Sequence, residues 1–210
     1  MRQGLTGVRA DRGYSYRDLE RIAASVRTQL SYSPTGSIDT LQLFDGLDIK
    51  VEVGNDRTIP IRGGVTALRD SEGYAKYDKD RGIIEILASP KTYDWLEKGH
   101  PRGGYFVAHE LGHCLLHTDQ LVRLAKMPKA QQAALHRGRK EVGHKAFMDT
   151  EWQANAFAAA LLMPAWGLLA LEKSEELSPD TIAEHFHVSD EAATYRLELY
   201  VDRKEQLLKP

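Results

Sequence analysis

Residues 109–113 read His-Glu-Leu-Gly-His, and this pentapeptide constrains the chain more than any other stretch. Two histidines four apart on a helix lie one turn above each other, about 6 Å apart, so both rings reach one ion. Imidazole nitrogen with carboxylate oxygen is a donor set that suits zinc in a tetrahedron, and a hydrolytic site leaves one position for water. Such an ion lowers the pKa of that water toward about 7. Glu110 projects roughly 100° around the helix from His109, beside the ligands, where it can take the water proton and pass it to a leaving amine. Val107, Leu111, Cys114 and Leu115 supply the opposite, apolar face. One side of this helix is therefore expected to pack on a sheet and the other to face a cleft. A helix that carries surface histidines by coincidence has the same spacing, so the rest of the chain must supply a third protein ligand.

A metzincin arrangement would have glycine three residues and histidine six residues after His113, but those positions hold Leu116 and Asp119. Glu151, at the start of a later helix, is the better candidate. Asn155 lies one turn further on the same face, where it can hydrogen-bond a ligand histidine and set its tautomer. Glu151 has a second reading, as an acidic residue that complements the positive end of its helix. Position alone leaves these two readings even.

The surrounding pattern suits an α+β chain. Ser15, with Asp18 three residues on, caps a helix predicted over 16–30, whose apolar face is Leu19, Ile22, Ala23, Val26 and Leu30. Residues 1–14 read as a mobile or weakly ordered start. A short helix is expected over 39–44, stopped by Gly46. Ile49, Val51 and Val53 alternate with charged residues as a half-buried strand does. Further strands are expected near 65–69, 74–77 and 83–87, separated by turn sequences at 71–73 and 79–82. Pro90 closes this region and 99–104 reads as a loop. From Gly104 the pattern is almost wholly helical. Helices are expected over 105–117 and 150–163, the second halted by Pro164, with further helices capped by Ser178 and Ser189.

The segment GGYFVAHELGHCLLH (103–117) and the later EWQANAFAAALLMP (151–164) together resemble the ImmA/IrrE family of metallopeptidases. That family pairs an H-E-x-x-H helix with an E-x-x-A-N-x-F-A-x-x-L-L-M-P helix, met here by Glu151, Ala154, Asn155, Phe157, Ala158, Leu161, Leu162, Met163 and Pro164. The resemblance covers about residues 16–201. It implies that His109, His113 and Glu151 are zinc ligands and that Glu110 is the catalytic residue. It also implies a compact zincin-like domain, a small mixed sheet with active-site helices, over 1–165, followed by a helix-turn-helix-like extension over 166–210. Two departures stand out. The family often has a second glutamate two residues after the ligand, where this chain has Gln153, and the segment 118–150 between the motifs is long. Family members typically cleave a helix-turn-helix repressor and so switch on its genes. Such a repressor is the partner the resemblance implies. A non-proteolytic, metal-bound interaction protein in a toxin–antitoxin or regulatory pair is the alternative.

Other residues bear on the site. His117 lies one turn beyond His113, where it could hydrogen-bond the substrate or the ligand shell, but it reads rather as a partly exposed helix-end histidine favoured by the dipole. Tyr105, His117 and His144 are candidates to stabilise a developing oxyanion, and His100 and His136 lie in stretches able to approach the site. Cys114 reads as inert core. The basic stretch 123–145, with Arg137, Arg139 and Lys140, reads as a solvated helical insertion rather than a steering patch. The last helix opens with Asp190 and Glu191, which phosphates would repel, so it reads as a packing or docking module and no direct nucleic-acid partner is expected. A net charge of −2 gives no global pull toward DNA or anionic membranes. The 42% hydrophobic content supports a core, no apolar run approaches a membrane span, and the polar start and single cysteine read as cytoplasmic.

Overall fold

A computed structural model describes residues 8–45, 47, 49–54, 72–128, 144–174 and 177–209. It has α+β architecture. α1 (Tyr16–Gln29) opens on the expected capping box: the Ser15 hydroxyl accepts the Asp18 N–H, and Asp18 returns the bond to the Ser15 N–H at 2.9 Å. Leu19, Ala23 and Val26 from its apolar face are buried. Arg27 is buried as well, because its guanidinium serves three carbonyls at once: Ser33, Gly36 and, at 2.6 Å, Leu161. Desolvation still pulls it down to about 10. α2 (Gln42–Asp45) is shorter than the expected 39–44 element, and Gly46 lies outside the described residues.

β1 (Lys50–Val53), β2 (Gly73–Asp78) and β3 (Ile83–Ala88) form a mixed sheet in the order β1-β3-β2, with β1 parallel and β2 antiparallel to β3. β3 is buried on both faces from Glu85 to Ala88. A carboxylate buried there needs partners, and Glu85 has Lys76 at 2.5 Å and Arg81 at 2.9 Å. The strand expected near 65–69 lies outside the described residues.

α3 (Pro90–Glu97) was not anticipated: Ser89 caps it and Pro90 starts it rather than closing the sheet region. α4 (Pro101–Leu116) begins four residues before the expected start. His100 accepts the Arg102 N–H as its cap, so 101–104 is helix and not loop. Gly103 and Gly104 mimic a loop in sequence, yet here the missing side chain has a packing purpose. A Cβ at Gly103 would stand 2.8 Å from the Leu96 nitrogen, so only glycine lets α4 lie this close to α3. α5 (Thr118–Lys126) follows. Leu115, expected on the apolar face of α4, is instead 39% exposed.

Residues 8–14 are not a loose start. They run antiparallel to 146–150, with Ala10 N–H donating to Met148 O at 2.7 Å, Tyr14 N–H to Phe147 O at 3.1 Å and Thr150 N–H to Val8 O at 3.0 Å. α6 (Thr150–Leu162), capped by Asp149, packs along α4 and α1 at the centre of the core. α7 (Ala165–Ser174), α8 (Pro179–Phe186) and α9 (Asp190–Leu207) complete the chain. Ser178 and Ser189 cap α8 and α9 as expected, and His187 takes the left-handed conformation (φ 55°) where a turn glycine is usual. Arg196 of α9 is buried against the Met163 carbonyl at 2.8 Å and Glu20 of α1, which draws α9 onto the end of α6. Among the described residues no single helix is long and apolar enough to cross a membrane.

Candidate metal centre

α4 and α6 cross closely enough to bring their polar faces together. Gly112 makes this approach possible: a Cβ there would meet the Ala154 Cα and the Phe157 ring at 3.1 Å. His109 and His113 project from α4 one turn apart, and Glu151 projects from the first turn of α6. Their donor atoms converge. His109 Nε2 lies 3.2 Å from His113 Nε2 and 3.4 Å from Glu151 Oε2, and His113 Nε2 lies 3.5 Å from Glu151 Oε1. A tetrahedron with metal–ligand bonds of about 2.0–2.1 Å has edges of about 3.3–3.4 Å. The two imidazole nitrogens are spaced like one such edge, each faces a different oxygen of the Glu151 carboxylate, and the three side chains form a group that could hold a divalent ion. They are only partly screened from solvent, with side-chain exposures of 13%, 8% and 18%.

Both imidazoles are held from behind. His109 Nδ1 lies 2.9 Å from Asn155 Oδ1, as the spacing of Asn155 after Glu151 led us to expect. His113 Nδ1 lies 3.1 Å from His117 Nδ1, and His117 Nε2 lies 2.8 Å from Gln153 Oε1. His117 is thus buried behind His113, 4% exposed, which corrects the expected partly exposed histidine at the helix end. Burial pushes its pKa down to about 4, and neighbouring His113 acts in the same direction.

Glu110, next to His109 on α4, is almost fully buried. Its Oε2 accepts the Ala75 N–H of β2 at 2.7 Å. Nothing in the sequence pointed to Ala75, since the contributing atom is a backbone nitrogen 35 residues away. Gln153 had a sequence signal only as a departure from the family pattern. Cys114 is buried and its thiol is raised well above the usual range, first by burial and then by nearby Glu110, which suits inert core.

The oxyanion candidates are engaged elsewhere. The Tyr105 hydroxyl faces the Asn155 carbonyl at 3.5 Å, and burial raises it to about 12. His144 pairs with Asp149 at 3.0 Å, beneath the start of α6, and His117 lies behind His113. His100 caps α4 and stacks on Trp95 at 5.6 Å between ring centres. His136, Arg137, Arg139 and Lys140 lie outside the described residues. Arg123, at the start of the basic stretch, pairs with Asp11.

Residues 99–198 match the family model Peptidase_M78, described as the IrrE N-terminal-like domain. No curated protein matches this sequence significantly. A solved structure of a Mycobacterium tuberculosis transcriptional regulator is similar at 20% identity and a TM-score of 0.48, over 90% of this chain and 49% of that one. The chain thus spans about half the length of that regulator.

Proposed function

We propose that this chain, a member of the ImmA/IrrE family by its residues 99–198, is a zinc-dependent endopeptidase that cleaves a partner repressor of helix-turn-helix type. The observation that carries the reading is the convergence of His109, His113 and Glu151 at 3.2–3.5 Å with Glu110 beside them. Two imidazoles and a carboxylate suit zinc better than magnesium or calcium, which prefer oxygen donors throughout. Zinc bound there supplies Lewis acidity, which makes water acidic near neutral pH and polarises a peptide carbonyl.

The chain's own residues do the rest. Glu110 accepts the proton of the attacking water and delivers it to the amine that leaves. Asn155 and His117 keep the two ligand rings oriented toward Glu151. β2 lies at the end of the sheet order among the described strands. Its Ala75 N–H is turned away from β3 toward Glu110, and so are the main-chain groups of Gly73 and Tyr77 at alternate positions. An extended peptide aligned along this side pairs with main-chain groups and brings a scissile bond to Glu110. The identity of the repressor rests on the family likeness.

Co-expression of Glu110→Gln with the cognate repressor tests the reading. Zinc content should stay stoichiometric while repressor fragments disappear. Equal cleavage by the variant removes Glu110 from the mechanism. Stable co-elution of wild-type protein and partner without any fragment favours a non-proteolytic interaction protein.

A further inference from the structure

The sequence HELGHCLLH carries three histidines on successive turns, and the proposed function uses only the first two as ligands. The third, His117, belongs to a hydrogen-bonded chain whose direction can be read from its far end. Gln153 is fully buried in α6. Its amide nitrogen donates to the Arg12 carbonyl at 2.8 Å and the Phe147 carbonyl at 2.7 Å. Both amide hydrogens are therefore committed, and turning the amide over would set its oxygen against two carbonyl oxygens. Gln153 Oε1 can only accept.

The consequence passes along the chain. The atom facing Gln153 Oε1 at 2.8 Å is His117 Nε2, which must then carry a hydrogen. A neutral imidazole carries one hydrogen, so His117 Nδ1 offers a lone pair. The hydrogen between His117 Nδ1 and His113 Nδ1, 3.1 Å apart, then belongs to His113. His113 in turn presents an unprotonated Nε2 toward His109 Nε2 and Glu151.

We infer that Gln153 and His117 are positioning residues that dictate the tautomer of His113, with the reference point lying in the carbonyls of Arg12 and Phe147. The inference rests on the reading of His113 as a metal ligand. His109 has a direct partner for the same purpose in Asn155 Oδ1 at 2.9 Å. The two ligand rings are thus set by two residues of one helix, one directly and one through an intermediate imidazole. Segment 8–14, paired against 146–150, is part of the site because it supplies one of the two acceptors that orient Gln153.

The test is histidine-ring nitrogen NMR on the metal-free protein at about pH 8, where imidazoles are neutral. The expected wild-type spectrum has the Nδ1–H form at His113 and the Nε2–H form at His117. Gln153→Leu and, separately, His117→Phe should turn His113 into a mixture of tautomers and weaken zinc about 10–100-fold in a chelator competition. A merely structural role for these residues would leave the tautomers unchanged. A wild-type His113 in the Nε2–H form overturns the inference on its own, even if neither variant folds. So does a variant that folds and keeps the wild-type tautomers. Failure of the wild-type protein to bind zinc, with both tautomers as expected, counts against the metal reading and leaves the proton assignment standing.

Discussion

The carboxylate of Glu110 accepts the backbone N–H of Ala75 at 2.7 Å, so the residue proposed as the base on α4 is held by the outer side of β2. In the proposed mechanism, main-chain pairing of substrate along that side and orientation of the base therefore both depend on one strand. Proline at 75 would remove the N–H without touching the ladder to β3, since that N–H points away from it. Ala75→Pro should keep its zinc and lose about 1–3 kcal/mol of stability, because a buried oxygen loses its donor. Repressor cleavage should fall on the order of 100-fold from misplacement of the base. Thermal denaturation and a fragment assay check both, and an unchanged cleavage rate would show that this bond has no part in orienting Glu110.

Glu151 has two readings in sequence that a single substitution separates. As a helix-start acid it contributes about 0.3–1 kcal/mol of stability and nothing more. As a ligand 3.4 and 3.5 Å from the two imidazole nitrogens, it controls metal binding. Glu151→Gln should lower zinc affinity by more than the roughly 10–100-fold that loss of an outer hydrogen-bond partner costs. A small loss of stability with zinc affinity retained would assign Glu151 to the helix end alone.

The buried imidazole of His117 makes the metal-free protein sensitive to acid. Its folded-state pKa is lowered from 6.5 to about 4, chiefly by burial. The unfolded chain therefore takes up a proton at His117 at higher pH than the folded chain does, and stability falls as pH drops from about 6.5 to about 4. Above that window the group contributes no pH dependence. The total loss across it is on the order of 3 kcal/mol. Urea denaturation of chelator-treated protein at several pH values should show this slope, and His117→Phe should flatten it.

Gly112 lies inside α4, where replacement of glycine by alanine ordinarily favours a helix by about 1 kcal/mol. Here the added methyl would stand 3.1 Å from the Ala154 Cα, a backbone atom of the facing helix that cannot rotate away. Gly112→Ala should therefore destabilise the protein, by about 1–3 kcal/mol, and weaken zinc by moving Glu151 away from the imidazoles. A rise in melting temperature with unchanged zinc affinity would mean that the two helices have room to spare.

Much of the site was legible because its logic is local. The four-residue spacing of His109 and His113 puts both on one helical face whatever surrounds it. The caps at Ser15, Ser178 and Ser189 act within three residues of themselves. The start of α4 was misread because Gly103 and Gly104 have two uses, turn formation and close packing. Only the position of α3 tells which applies.

The amino-acid sequence by itself determined the α+β order, the helix caps and the pair of imidazoles with a glutamate between them, since each follows from interactions among near neighbours along the chain. The tertiary structure alone decided that Glu151 meets those imidazoles, that Ala75 holds Glu110 and that Arg12 and Phe147 orient Gln153. The reason is that Glu151 lies on a different helix from the imidazoles, while Ala75 acts through an N–H and Arg12 and Phe147 through carbonyls, groups that almost every residue carries. A backbone donor or acceptor acquires a particular role only when the fold brings a distant side chain to it.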